Sequence, residues 1–481
     1  MVSSVFLGAN IAFLSITDDP DHDIHIEQSN SLLSLGDIAE SKYIETVTDM
    51  TKRLLTIGIM LLAAMTFAKG QTGTWSGKLD VQGTKLTLVF HLDGDQPTMD
   101  SPDQGAKGIA AQVERGMAGK IIIKVPSLAI TYEGQWLINK IVGTFSQMKI
   151  SLPLTLVPGE DKPNRPQTPV GPFPYATEEV SFTNGDFIFN GTLTLPEGYS
   201  RETPVLLMVT GSGQQNRDEE LFDHKPFAVI ADALAREGIA TLRYDDRGFG
   251  DSSANPMEWT AEDFKSDALA GLGLLREKFD KVGVLGHSEG GSIAMMIAAE
   301  GKADFIVSLA GIAISGAETL VWQNKVALKG AGFTDEVIDS YCRLIERAFD
   351  VRVNGGQMPN PDDYNLPEAL MKNYRVVVAQ IQMPYMIHLL SMDMRNILGK
   401  ITCPVLALNG SKDNQVWHET NLAAIRNGLP ANPTNKIEAI EGLNHLFQHC
   451  TTGEVTEYRH IEETFAPEVL AEIVEWMSVF K

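Results

Sequence analysis

Val282-Gly283-Val284-Leu285-Gly286-His287-Ser288-Glu289-Gly290-Gly291 is the stretch on which the fold turns. Small and β-branched residues run into Gly-His-Ser-Glu-Gly, and the helix-forming segment Ser292-Ile293-Ala294-Met295-Met296-Ile297-Ala298-Ala299-Glu300 follows directly. This order predicts a strand, a sharp turn and a helix. In that setting the flanking glycines let the backbone turn tightly enough to lift the Ser288 hydroxyl above a sheet, in a conformation that a bulkier neighbour would block. Ser288 is therefore the candidate nucleophile. The competing reading is a plain glycine-rich connection between strand and helix.

Outward from this stretch the same alternation continues. Strands are expected at 179–183 and 187–195, paired as a hairpin around Asn184-Gly185, and then at 205–210, 240–243, 282–286, 305–309, 405–409 and 436–440. Helical patterns lie between most of them, at 227–236, 262–278, 292–300 and 419–427. Such alternation makes an α/β domain with a mostly parallel sheet and helices on both faces, expected over 177–481. The gap from about 311 to 401 is too long for a simple crossover. Its helical patterns (317–329, 334–350, 368–379) and the apolar, Met-rich run 383–392 predict a helical cap over the sheet's carboxyl edge, where open α/β sheets bind ligands.

Before the α/β part, prolines recur through 158–176, which predicts a semi-extended linker. Earlier still the apolar period is two. Trp75, Gly77, Leu79 and Val81, then Leu86, Leu88, Phe90 and Leu92, alternate with polar residues, and further strands are expected at 120–125, 129–134, 140–145 and 150–156. A small all-β domain over 71–157, curled or half-barrel, is the expectation. His91 stands alone in one of its strands and reads as structural.

Met50-Thr51-Lys52-Arg53 followed by an apolar run to Phe67 and small residues at Ala68 and Gly70 matches a secretory signal peptide over 50–70, with cleavage after Ala68 or Gly70. The apolar run is short for a membrane span, so no integral span is expected in the mature chain. Residues 1–49, with nine acidic residues against one lysine, read as an over-extended, disordered start. Export, to a periplasm or outside the cell, follows from this reading.

The chain has 39 Lys+Arg against 62 Asp+Glu, a net charge of −23 over 481 residues, with no basic stripe to hold a polyanion, so nucleic acid is not an expected partner. Three separated cysteines, Cys342, Cys403 and Cys450, form no metal or disulfide framework and are expected as buried or partly buried thiols.

A serine hydroxyl needs a base within hydrogen-bond reach and a group to orient that base. Asp413 lies just past one expected strand and His445 just past the next, and Ser, acid, His is the chain order of hydrolases built on this kind of sheet. Asp413 also suits a plain turn. His449 competes with His445, and His287 adjoins the nucleophile but should point away from it. His388, in the cap, is a candidate to line substrate space; the remaining histidines read as solvent-facing or fall within 1–49. Backbone N–H donors for an oxyanion are expected at Glu289 and in the loop after 205–210, at Gly213 or Gln214. Arg243-Tyr244-Asp245-Asp246-Arg247 is expected to pin loops by ion pairs.

Gly211-Ser212-Gly213 with Asn216-Arg217-Asp218-Glu219, Arg243 to Gly248, Gly286 to Gly291, Lys412-Asp413 with Gln415-Val416, and Gly442 to Phe447 together resemble the bacterial α/β-hydrolase esterases related to serine aminopeptidases of the S33 type. The resemblance covers about 72–481, since two-domain members also carry a β-rich amino-terminal part. It implies an α/β-hydrolase sheet with Ser288 as nucleophile, Asp413 as acid and His445 as base. It also implies carboxylesterase activity on small-molecule esters with short or medium acyl groups, without metal or organic cofactor. Gln214 stands where such loops often have proline, leaving the second oxyanion donor open. Two other functions compete: a peptidase or amidase of the S33 type, and a binding protein with a vestigial hydrolase domain.

Overall fold

The computed structural model describes residues 72–481 except 82–83, 105, 138, 149, 161 and 251–253. The expected start over 1–49 and signal peptide over 50–70 lie outside the described residues. The described chain forms two compact units.

The first unit is a sheet of nine antiparallel strands: β1 (Thr74–Val81), β2 (Thr84–His91), β3 (Thr98–Ser101), β4 (Ala106–Ala110), β5 (Gln112–Arg115), β6 (Lys120–Val125), β7 (Ile130–Trp136), β8 (Ile141–Gln147) and β9 (Ile150–Pro158). Their order is β4-β3-β2-β1-β9-β8-β7-β6-β5. The two edge strands, β4 and β5, are separated in the chain by Ala111 alone, so the sheet must curl until its edges approach. Period-two patterning fills the inside of the curl: Trp75, Leu79, Leu88, Phe90, Ile121, Ile123, Tyr132, Trp136 and Leu156 form one buried cluster. Sequence patterning had no hold on β3, β4 and β5. They are only four or five residues long and flanked or interrupted by Pro102 and Gly108, too short to show a period of two.

The second unit has an eight-stranded sheet: β10 (Ala176–Asn184), β11 (Phe187–Leu195), β12 (Val205–Val209), β13 (Ala240–Tyr244), β14 (Val282–His287), β15 (Ile306–Leu309), β16 (Val405–Gly410) and β17 (Lys436–Ile440), ordered β10-β11-β13-β12-β14-β15-β16-β17. The hairpin β10–β11 is antiparallel, β11 meets β13 antiparallel, and all pairings from β13 to β17 are parallel. Every residue of β12, β14, β15 and β16 is buried, because helices cover both faces.

Alternate residues of one strand serve the two faces. Val205, Leu207 and Val209 pack with Leu272 of helix α2 (Ala261–Lys278), Ile293 of α3 (Glu289–Ala299) and Leu422 of α9 (His418–Gly428). Leu206 and Met208 pack with Ile230 of α1 (Pro226–Arg236) and Val469 and Trp476 of α11 (Pro467–Met477), a helix not anticipated from the sequence.

Between β15 and β16 the expected cap is present as α4 (Gly316–Gly330), α5 (Asp335–Asn354), α6 (Glu368–Gln380) and α7 (Pro384–Ser391), followed by the short α8 (Arg395–Leu398). On α5, Ile338, Tyr341, Ile345, Ala348 and Phe349 recur at three- and four-residue spacing and bury one face against Leu328, Tyr374 and Leu389, giving the cap a core of its own. α10 (Val455–Tyr458) follows β17. Among the described residues no helix is long and apolar enough to cross a membrane.

The proline-rich segment is pinned rather than free. The Arg165 guanidinium donates to the carbonyls of Phe222, Arg459 and Ile461, and Gln167 brackets Thr464 and Phe465.

Candidate active site

Ser288 sits between β14 and α3 with φ 55° and ψ −119°, a conformation that a residue bearing a side chain adopts only under constraint. Two neighbours make it possible. A Cβ on Gly286 would lie 2.0 Å from the Gly290 carbonyl oxygen, and one on Gly290 would lie 2.1 Å from that of Val209. Alanine at either place forces the elbow open. At the start of the helix the Gly291 and Ser292 N–H groups turn back to the Ser288 carbonyl, which leaves the N–H groups of Glu289 and Gly290 at the helix's positive end, where its dipole favours negative charge.

His445, after β17, and Asp413, after β16, lie side by side, with His445 Nδ1 2.8 Å from Asp413 Oδ2. The other Asp413 oxygen accepts from the N–H groups of Gln415 (2.7 Å) and Val416 (2.9 Å), so the carboxylate is fixed from both ends. Both side chains are buried. With Nδ1 donating to Asp413, Nε2 is left as the basic nitrogen of the ring. The Ser288 hydroxyl forms no hydrogen bond with His445 among the described residues. Such pairs are often loose without substrate and tighten in the complex. His449 is not a rival base: it is turned to Glu463 and Glu468 at the surface.

Sequence reasoning underrated His287. Its ring is buried, with Nδ1 2.9 Å from Glu219 Oε1 and Nε2 2.9 Å from the carbonyl oxygen of His445. Glu219 Oε1 also accepts from Gly211 N–H at 2.7 Å. One carboxylate and one imidazole therefore connect the loop after β12, the elbow and the loop bearing His445. Burial disfavours charge on His287, yet the charge of Glu219 and the hydrogen bonds to Glu219 and the His445 carbonyl outweigh it and raise its pKa. Glu219 is 68 positions away, so no local pattern could have paired them.

The charged motif after β13 behaves as expected. Asp245 holds Arg217, Arg243 pairs with Asp218, and Asp246 Oδ2 accepts from Thr210 Oγ1 (2.8 Å) and Gln215 N–H (2.9 Å). Arg247 forks onto Asp267 of α2 at 2.6 and 2.7 Å. The loop carrying Gly213 is thus clamped from below. Gly213 has φ 98° and lines the cavity in front of Ser288, whereas Gln214 sends its side chain to the Arg247 carbonyl.

That cavity is lined by Ser212, Gly213, Ser288 and Glu289 from the sheet side and by Leu320, Tyr385, Met386, Leu389 and Met392 from the cap side. Two hydrogen bonds tie cap to core beside it: Tyr385 Oη donates to Glu289 Oε2 at 2.9 Å, and Gln323 Nε2 to the Gln415 carbonyl at 2.8 Å. Burial pushes the Glu289 carboxyl up to about 7 against the pull of the Tyr385 bond. His388 does not reach this cavity. It borders a separate depression with Glu262, Lys265 and Asp393. His224, expected at the surface, is fully buried between Thr464 Oγ1 and the Tyr458 carbonyl. Cys342 is buried and Cys403 and Cys450 partly so, all free. Among the described residues no group of three or more His, Cys, Asp or Glu side chains is placed to hold a metal ion.

The model of the alpha/beta hydrolase family matches residues 206–455, more than half of the chain and including the elbow, the cap and both His445 and Asp413. The chain belongs to the alpha/beta hydrolase family. Esterase EstD of Thermotoga maritima is 29% identical to this hydrolase over 314 residues, which are 63% of this chain and 69% of that protein. Solved structures similar to the hydrolase include Est1E from Butyrivibrio proteoclasticus, 17% identical over 63% of this chain and 98% of that one, with a TM-score of 0.37. Proline iminopeptidase from Mycobacterium smegmatis is 18% identical over 63% and 98%, with a TM-score of 0.40.

Proposed function

We propose that this hydrolase is a serine carboxylesterase acting on small esters with short or medium acyl chains. The observation that carries the reading is Ser288, held at positive φ over two obligatory glycines and facing a cavity closed by the cap. The apolar Leu320, Met386, Leu389 and Met392 side chains suit an acyl chain, and the relative named as an esterase points to the same bond.

In the proposed reaction Ser288 Oγ attacks the ester carbonyl carbon while His445 Nε2 takes its proton. The oxyanion receives hydrogen bonds from Glu289 N–H and from the loop, where we place the donor at Gly213 because that residue, unlike Gln214, lines the cavity. Collapse expels the alcohol, protonated by His445, and leaves an acyl group on Ser288. Water then attacks with His445 again as base, and the acid departs. Asp413 holds the tautomer and stabilises the imidazolium in both halves.

Hydrolysis of p-nitrophenyl butyrate compared with aminoacyl-p-nitroanilides tests the bond cleaved. Amide turnover well above ester turnover would replace the reading with a peptidase. A fluorophosphonate that labels the chain anywhere but Ser288, or not at all, would remove the nucleophile. The pattern of 50–70 further supports export of the enzyme; amino-terminal sequencing of secreted material should read from Lys69 or Gln71.

A further inference from the structure

Glu289 has a task that ester hydrolysis as described does not give it. Only its backbone N–H serves the oxyanion, yet its side chain places a carboxyl in a cavity whose cap wall is mostly apolar. Glu289 is 4% exposed, and burying such a group is costly unless it is satisfied. One oxygen is: Oε2 accepts from Tyr385 Oη at 2.9 Å, and the Ser212 side chain bonds to the same phenol. No described residue is hydrogen-bonded to the other, Oε1, and Glu289 lines the cavity in front of Ser288. Tyr385 comes from α7 of the cap, so the carboxyl is aimed by a contact that exists only with the cap in place.

We propose that Glu289, aimed by Tyr385, is a specificity site that binds a hydroxyl group of the substrate lying a few bonds from the scissile carbonyl. The proposal rests on the esterase reading and deepens it. Proximity sets the distance, since the N–H of the same residue is directed at the carbonyl oxygen and its carboxyl can reach only neighbouring carbons. The chemistry of the partner follows from the donor count. An ionised carboxylate needs a donor at Oε1, whereas a protonated one offers a donor there. A hydroxyl can meet either state because it both donates and accepts; an ammonium meets only the first, and a methylene neither. A pocket that leaves a buried polar group unpaired with the wrong substrate rejects that substrate far more strongly than an apolar pocket rejects a missing methylene.

The hydroxyl could belong to the acyl chain or to the alcohol, and matched pairs separate the two. Turnover would be followed by pH-stat on methyl 3-hydroxybutanoate against methyl butanoate, and on glyceryl monobutanoate against propyl butanoate. The wild-type enzyme should favour the hydroxylated member of one pair by about tenfold or more in kcat/KM. Glu289→Leu should erase that preference and Tyr385→Phe should weaken it. If Glu289→Leu does not fold, Glu289→Met keeps the side-chain length and answers the same question.

Equal turnover of both members in both pairs overturns the proposal. So does a preference that survives the loss of the carboxyl. A parallel fall on plain and hydroxylated esters would make the Tyr385–Glu289 bond only a tie between cap and core, and would also overturn it. Methyl 4-aminobutanoate favoured over every hydroxylated ester would assign the site to a cation instead. If no ester is turned over and no phosphonate binds, the esterase reading fails and takes this site with it; turnover without preference sinks the site alone.

Discussion

Each of the two units contains a histidine bonded to an aspartate. In the β unit His91 Nε2 lies 2.9 Å from Asp100 Oδ2, and its Nδ1 lies 3.1 Å from the hydroxyl of Thr74. In the hydrolase unit His445 Nδ1 lies 2.8 Å from Asp413 Oδ2, while the Ser288 hydroxyl is not yet bonded to the ring. By hydrogen bonds alone the β unit holds the more complete trio of hydroxyl, imidazole and carboxylate. What it lacks is everything else. Thr74 and His91 are register partners on adjacent antiparallel strands, so their contact is an ordinary cross-strand polar pair on regular backbone. The Thr74 hydroxyl is not raised on a strained turn, and no helix start offers it free N–H groups. The contrast teaches that the triad is the less informative part of such a site. Backbone strain, orphan donors and a covered cavity make the hydroxyl matter.

The largest effect that could break this contrast is removal of the two hydroxyls. Ser288→Ala should lower kcat on p-nitrophenyl butyrate by roughly a million-fold, while Thr74→Ala should leave it within about twofold. Loss of activity on removal of Thr74, or phosphonate bound to it, would reverse the assignment. Next come the two acids. Asp413→Asn should cost about 10⁴ in kcat by disturbing the His445 tautomer. Asp100→Asn should leave turnover unchanged and weaken only the β unit, by about 1 kcal/mol in its unfolding transition.

How far the sequence reached follows the same division. The elbow was legible because strand, glycines and helix are contiguous, and Asp413 and His445 because each follows a strand in the order such sheets impose. The cap was legible as a gap too long for a crossover. Contacts made across distance were not. Glu219 meets His287 and Tyr385 meets Glu289 only because the sheet and cap bring them together, and no spacing records that. The strands β3, β4 and β5 are too short to show a period, and the docking of Arg165 uses backbone carbonyls, which leave no mark in side-chain pattern.

His287 sharpens the comparison at the next level, since nothing like it stands behind His91. It is a positioning residue: it touches no substrate but holds the His445 carbonyl and, through Glu219, the oxyanion loop. His287→Phe should lower kcat by about a hundredfold, the order expected for misplacing a catalytic group by an ångström. KM should change little, because the cavity wall does not include this ring. His287→Gln, which can still donate to the His445 carbonyl, should recover most of the loss. A merely structural role would instead show as lowered stability with kcat per folded molecule intact. Glu219→Gln should cost less than His287→Phe, since a neutral imidazole can still donate from Nε2.

The smallest effect is a matter of stability, and it tests the cavity beside Ser288 as an environment, something the His91–Asp100 pair of the β unit does not offer. Glu289 is raised to about 7 by burial, from 4.5 for the unfolded carboxyl. Between those values the folded chain binds more protons than the unfolded one, so this group lowers stability as pH rises from about 4.5 and exerts its full penalty above about 7. Glu289→Gln removes the titration while keeping an oxygen for Tyr385. Wild type and variant should therefore unfold nearly alike at pH 4.5, with the variant gaining on the order of 3 kcal/mol in the hydrolase-unit transition by pH 8.5. Denaturant midpoints at the two pH values measure it. A difference that is constant with pH would mean that the carboxyl is not held neutral by burial, and the cavity beside Ser288 would then be wetter than its lining implies.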